Sequence, residues 1–295
     1  MGLGFYEADD SARGLIESLS TASGIDLKAI CFGSDEHTLR QTENAQPALY
    51  SAGLLALQAL RAVVKEFPSG VAGHSVGEYA ALAAAGAMTA DDGARLVAAR
   101  GRLMAEAGRS RPGTMAAVIG ADDALVETVC SEASKPGAEV VVANYNSPGQ
   151  VVISGDAAGV DEAARLLSEK GVKRVIRLNV SGAFHSPLMA DSARRLAESL
   201  REVQFSQPEI PIWSNVTGQF EPDPLSWPGL LERQLASAVR WSQSVKSMVE
   251  SGIELFIECG PGEVLCGLIR RIAPEVKAVP LREPSDLEAV VEAVG

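Results

Sequence analysis

Histidine is scarce in this chain: His37, His74 and His185 are the three among 295 residues. A metal centre built on imidazole is therefore not expected, and proton transfer by histidine has few places to reside. Cysteine is nearly as sparse. Cys31, Cys130, Cys259 and Cys266 show neither C-x-x-C spacing nor a dense framework, which argues against a zinc ribbon or disulfide scaffold and predicts reduced, buried thiols. Basic residues are outnumbered, 26 against 38 acidic, for a formal charge of −12. Nucleic-acid binding, which needs a concentrated basic surface, is not expected. No apolar run reaches the roughly 18 residues of a membrane span. No basic segment leading into an apolar one opens the sequence, so a cytoplasmic location is expected. What remains is ordinary globular composition, 46% hydrophobic and 22% charged, with length for one large domain or two. There is no internal repeat.

Against that plain background one stretch stands out: Gly73-His74-Ser75-Val76-Gly77. Ser69–Ala72 leads in as a short apolar strand, and Glu78–Ala85 (EYAALAAA) leads out as strong helix former. A serine at a strand-to-helix turn has its hydroxyl pushed forward, and the helix start offers free N–H groups to an oxyanion. The flanking glycines let backbone pass close by. The pattern reads as a nucleophile elbow, with a plain structural turn as its alternative.

A serine nucleophile needs a base. His74 adjoins the serine, where the backbone turns its ring away, and His37 lies in a polar stretch, Ser34–His37, that reads as a solvated loop. His185 follows an apolar strand in Ser181-Gly182-Ala183-Phe184-His185-Ser186-Pro187 and precedes a helix. It is the expected base; a hydrogen-bonded loop histidine is the alternative.

The element order predicts an α/β protein. Helices are expected over 11–23, closed by Gly24, and over 47–64, apolar nearly all round. Thr89-Ala90-Asp91-Asp92 starts another that runs to about 107, and Gly108–Gly113 is rich in breakers. Strands at 114–119, 139–143, 151–154 and 173–178 alternate with helices at 122–131 and 157–170, a βαββαβ order of ferredoxin-like type. Asn144–Gln150 reads as a turn-rich loop. Helices near 188–203, 229–237 and 241–251 follow, with strands at 210–214, 255–258 and 277–281. The expected layout is an α/β-hydrolase-like core of mostly parallel sheet over 1–107 and 189–295, with a small domain inserted at 108–188.

Helix geometry ties Arg100 to Ser75. A helix from the serine to about Ala85 climbs roughly 15 Å, and a second one from Ala90 descends as far. Arg100 returns to the level of the serine about 8–10 Å away between axes. An arginine aimed into a pocket binds a carboxylate bidentately; Arg95 and Arg102 face elsewhere.

Several spaced motifs resemble one family, the malonyl-CoA:acyl carrier protein transacylases of fatty-acid and polyketide synthesis. They are Gly73–Glu78, Arg100-Gly101-x-x-Met104, Asn146–Gly155 and Gly182–Met189. Gln46-Pro47-Ala48, Val239-Arg240-Trp241 and Gly260-Pro261-Gly262 match too, so the likeness spans nearly the whole chain. The resemblance implies ping-pong acyl transfer without a cofactor. Ser75 takes malonyl from malonyl-CoA and passes it to the phosphopantetheine thiol of acyl carrier protein, with His185 as base and then acid. It further implies that Arg100 holds the malonyl carboxylate, that a carbonyl near Gln234 orients His185, and that the Val76 N–H forms half of an oxyanion hole. Gln46 and Asn146 would line the pocket, or else bond a buried loop. Val76 and Phe184 resemble the versions that favour malonyl over methylmalonyl, and Ala238 replaces the usual proline. A monomer is expected. Lys170, Lys173, Arg174 and Arg177 form the densest basic cluster, an expected dock for an acidic carrier protein or else a solvated helix end. The family opens with a strand ending in F-P-G-Q-G-x-Q, whereas Met1–Phe5 resembles the segment after it. The expectation is that a strand beside Val71–Gly73 and the second oxyanion donor are lacking. A polyketide acyltransferase, a serine hydrolase and a carrier-binding relative without turnover remain open.

Overall fold

The computed structural model describes residues 1–66 and 68–295. The chain begins with α1 (Leu3–Ala8), which the sequence reading did not anticipate, and α2 (Asp10–Ser23). Asp9 caps α2 by accepting from the Ser11 N–H, and Gly24 closes it at φ +69°, the left-handed end that glycine permits. His37 lies exposed in the short α3 (Glu36–Arg40) rather than in a loop. Then α4 (Thr42–Val63) starts five residues ahead of expectation and buries Ala48, Tyr50, Leu54 and Leu55. An all-round apolar pattern belongs to an interior helix, and this one lies against α6.

The pair α5 (Gly77–Ala84) and α6 (Ala90–Ser110) forms the expected rise and return. Thr89 caps α6 by accepting the Asp92 N–H. The helix runs on through Gly108, which the breaker count placed outside it. Gly108 is needed for contact instead: a Cβ there would stand 2.2 Å from the Ser181 carbonyl oxygen.

Next come β1 (Thr114–Ile119), α7 (Asp123–Ala133), β2 (Val140–Ser147), β3 (Gln150–Gly155), α8 (Ala157–Glu169) and β4 (Arg174–Arg177). They form a four-stranded sheet in the order β2-β3-β1-β4, every neighbour antiparallel. Both helices bury apolar side chains against it, among them Val126, Val129 and Leu167. The expected loop at 144–150 is mostly strand, because β2 continues to Ser147. Register shifts at Val142/Asn144 and Tyr145/Ser147 accommodate its asparagines.

The chain closes with α9 (Ala190–Leu200), α10 (Trp227–Ala236), α11 (Trp241–Glu250), β5 (Leu255–Cys259), α12 (Val264–Ile272), β6 (Lys277–Leu281) and α13 (Leu287–Val294). A mostly parallel sheet is not what this part shows. Among the described residues β5 and β6 pair in parallel, and Val71 meets Ile212 in a single parallel bridge. The lead-in to Ser75 is thus one bridge, closed by Val71 N–H to Pro211 O and Trp213 N–H to Val71 O, and no backbone bond joins it to β5. Most of the rest is helix, apart from irregular chain over 201–223 that holds one antiparallel bridge, Trp213 with Phe220. One further bridge crosses between the two parts: Tyr145 N–H donates to Val239 O at 2.9 Å, and Val239 N–H to Ala143 O at 2.8 Å.

Candidate active site

Ser75 sits on the turn that enters α5. Its φ is +54°, and His185 has φ +57°; among the described residues these are the non-glycine positions with positive φ. Such backbone costs about 1–3 kcal/mol per residue and persists where surroundings over-determine it. Gly73 makes the turn possible, since a Cβ there would lie 2.0 Å from the Gly77 carbonyl. Gly77 carries no such constraint: a Cβ there would meet nothing within 4 Å.

Asn215 holds the elbow from outside. Its Oδ1 accepts the Ser75 N–H at 2.7 Å, and its Nδ2 donates to Gly73 O at 2.7 Å. The Val76 N–H, by contrast, makes no hydrogen bond among the described residues. It stands free next to the serine, where an oxyanion donor has to be.

His185 Nε2 lies 2.8 Å from Ser75 Oγ. Its Nδ1 lies 2.8 Å from the Gln234 backbone carbonyl. A carbonyl can only accept, so Nδ1 carries the proton and Nε2 presents its lone pair to the serine hydroxyl. Burial, then the charge of Arg100, pushes the imidazole down to about 3, against the pull of the Gln234 carbonyl. It is held neutral, as a base must be.

Arg100 comes down α6 to the predicted level, but into the interior rather than an open pocket. It is 1% exposed. Nη1 donates to Gln46 Oε1 at 2.6 Å, and Nη2 to both Ser75 Oγ and Gln234 Oε1 at 2.9 Å. Its Nε is buried without a hydrogen-bond partner. Burial lowers the affinity of this guanidinium for its proton, while Tyr79 and Glu78 raise it.

Gln46 reaches Arg100 through its oxygen and Met104 Sδ through its nitrogen at 3.0 Å. It is a support of the arginine. Asn146 Oδ1 lies 2.9 Å from His74 Nε2, so His74 is turned from the serine toward β2, and burial lowers its pKa. Asn146 therefore engages the elbow neighbour. Phe184 is half-buried beside Ala183, against the apolar residues around Met115, Ala143 and Val152. Arg95 pairs with Asp92 and Arg102 is exposed, both away from the site. Of the basic cluster, Lys170 pairs with Glu132 and Arg177 with Asp161, while Lys173 and Arg174 are exposed.

Two residues that hold the site escaped sequence reading. Asn215 follows directly on the expected strand 210–214, and a polar residue at a strand end beside an elbow was the available signal. Glu78 passed for an ordinary helix former, yet it is wholly buried, and burial raises its carboxyl to about 7 against the Asn215 and Gln234 hydrogen bonds.

A serine oxygen, a neutral imidazole, a cation and a free N–H converge here, the set that acyl transfer through a serine ester requires. Residues 1–281 match the family model described as acyl transferase domain. The chain is 36% identical over 294 residues to the malonyl CoA-acyl carrier protein transacylase of Bacillus subtilis (strain 168), covering 99% of this chain and 92% of the relative. The crystal structure of malonyl-CoA:acyl carrier protein transacylase from Xanthomonas oryzae pv. oryzae superimposes with a TM-score of 0.95 at 41% identity, over 99% of this chain and 93% of that one. A type II PKS acyl-carrier protein in complex with its malonyl-transacylase also matches, with a TM-score of 0.94 and 34% identity over 99% of this chain and 94% of that one.

Proposed function

The chain belongs to the acyl transferase family, and we propose that it moves malonyl from malonyl-CoA to the phosphopantetheine thiol of acyl carrier protein. The observation that carries this reading is the geometry at one oxygen. Ser75 Oγ has His185 Nε2 at 2.8 Å and Arg100 Nη2 at 2.9 Å.

In the first half-reaction His185 Nε2 takes the serine proton as Oγ attacks the thioester carbon. The oxyanion faces the Val76 N–H. As the C–S bond breaks, His185 returns the proton to the leaving coenzyme A sulfur. In the second, the carrier thiol gives its proton to His185 and its sulfur attacks the serine ester, and Ser75 leaves with that proton. Arg100 pairs with the free carboxylate of the malonyl group; its Nη2 stands 2.9 Å from Ser75 Oγ. A hydrolase preferring a plain acyl chain fits poorly around a buried guanidinium held by Gln46 and Gln234. No group beyond the thioester donor and the thiol acceptor enters these steps.

The finer organisation is part of the same reading. The order β2-β3-β1-β4 with α7 and α8 supports a ferredoxin-like small domain over 108–188, set in an α/β-hydrolase-like core formed by 1–107 and 189–295. Phe184 and Val76 limit the acyl pocket to an unbranched malonyl. We assign the chain to the cytoplasm as a monomer, with Lys173 and Arg174 as the dock for the carrier. A carrier from polyketide synthesis is the second reading, favoured by the likeness to the type II PKS complex.

Incubation with malonyl-CoA should add one malonyl mass to the intact protein, and carrier protein should discharge it faster than water does. Ser75→Ala should abolish the adduct; an adduct that survives on this variant would overturn the elbow assignment.

A further inference from the structure

Ser75 and His185 share a backbone conformation that neither would adopt on its own, and each is held by a neighbour. Asn215 clamps Ser75 by its N–H and by the Gly73 carbonyl. Gln234 holds His185 by its backbone oxygen, while its side chain donates to Ser75 O at 2.8 Å and accepts from Arg100. These two holders come from separate parts of the chain, and both end on the same group. Glu78 Oε1 accepts the Asn215 N–H at 2.6 Å, and Glu78 Oε2 accepts from Gln234 Nε2 at 2.7 Å. All three residues are 0% exposed.

We propose that Glu78 is a positioning residue for acyl transfer, a carboxylate that fixes the Asn215 clamp and the Gln234 clamp in register and so sets the reach between Ser75 and His185. This inference rests on the acyl-enzyme reading above. Only two acceptors on one side chain satisfy the site, because both partners are donors. An amide at position 78 offers one acceptor and must turn an NH2 toward the other donor. Gln234 cannot relieve that by rotating its amide. The turn would set its nitrogen against Arg100 Nη2 and its oxygen against the Ser75 carbonyl. The Asn215 donor is backbone and cannot turn at all. A charge-assisted bond to a buried carboxylate is among the stronger ones, so its loss is felt where the clamps act.

The test is Glu78→Gln, equal in volume, measured in the full chain well above the pH of about 7 to which burial raises this carboxyl, where the wild type presents a carboxylate. We expect kcat for malonyl transfer to fall roughly 10- to 150-fold, the factor that a charge-assisted bond corresponds to. KM for malonyl-CoA should stay within about threefold, because Glu78 touches no substrate. Labelling of Ser75 by a fluorophosphonate, which needs the serine and histidine but no malonyl carboxylate, should slow in parallel while far-UV circular dichroism stays native. A merely structural role would lower stability or KM and would not slow kcat and serine labelling together in a protein that stays folded. If Glu78→Gln does not fold, Glu78→Asp keeps both acceptors on a shorter stem and should fold with a smaller loss of kcat. Turnover and labelling within about threefold of wild type at full folding would overturn the proposal, as would an Asp variant with unchanged kcat. Failure of wild-type Ser75 to label would instead end the acyl-enzyme reading itself.

Discussion

The four-stranded unit and the surroundings of Ser75 keep order by different means. In the former most buried side chains are apolar, Val126, Val129, Ile153 and Leu167 among them, with Thr114, Asn144, Ser147 and Ser154 as small polar exceptions, and most of the polar work is done by backbone ladders between strands. In the latter the interior is crowded with polar groups, Gln46, Glu78, Arg100, His185, Asn215 and Gln234. These come from segments far apart in sequence and are fastened to one another. The first arrangement yields stability from area removed from water. The second spends some of that stability to hold atoms at chosen distances.

Substitutions should therefore separate the two regions. His185→Ala should reduce malonyl transfer by roughly 10²–10⁴, the range of a general base, and leave the protein folded. Leu167→Ala should do the reverse, costing about 2–5 kcal/mol of stability for the lost packing with near-normal turnover in the folded fraction. A His185 variant that melts as badly as the Leu167 one would erase the distinction. Acidification reads the same contrast. His185 falls from its ordinary 6.5 to about 3 on folding, so its contribution to stability is complete above about pH 6.5 and is lost as pH falls toward 3. Glu78 runs the other way, from 4.5 to about 7; its contribution is complete below pH 4.5 and is lost as pH rises through 7. Melting curves of wild type and His185→Ala should accordingly converge, or cross in the variant's favour, between pH 7 and pH 4. A constant gap would mean that His185 is not held neutral in the folded protein.

Arg100→Ala should lose roughly tenfold to 150-fold for malonyl-CoA, and less for acetyl-CoA, because the charge-assisted bond exists only for the carboxylate. Equal losses for both thioesters would make Arg100 a support for Gln46 and Gln234 alone. The smallest effect is expected at the surface of the small unit. Glu at both Lys173 and Arg174 should raise KM for carrier protein severalfold and leave self-acylation from malonyl-CoA unchanged. Parallel loss of both half-reactions would remove the cluster from the docking surface.

The sequence made the regular unit readable because its elements follow local periodicity: β1, α7, β3 and α8 lie within a few residues of expectation. Its one error, the asparagine-rich end of β2, arose where bulges let turn-forming residues remain in a strand. Ser75, His185 and Arg100 were legible from an elbow pattern, a shortage of alternatives and helix arithmetic. Asn215 and Glu78 were not, since nothing local marks a helix-forming glutamate as the joint between two distant holders. The parallel sheet was over-read for a related reason. Apolar runs at 69–72 and 210–214 announce extended chain, but only a partner on each side makes a sheet, and Val71 has one bridge.

The stitch between β2 and Val239 bears on movement. Its two backbone bonds join the small unit to the segment just after α10, the helix that carries Gln234. Parting the small unit from the rest at this point would break both bonds at once. At Ser181 the contact is of another kind: its carbonyl lies close to Gly108, and its Oγ meets Thr42 Oγ1 at 3.0 Å. A substitution of Gly108 by alanine would drive a methyl group into that carbonyl and so press on the segment that leads to His185, whereas the backbone pair at Val239 offers no side chain to alter.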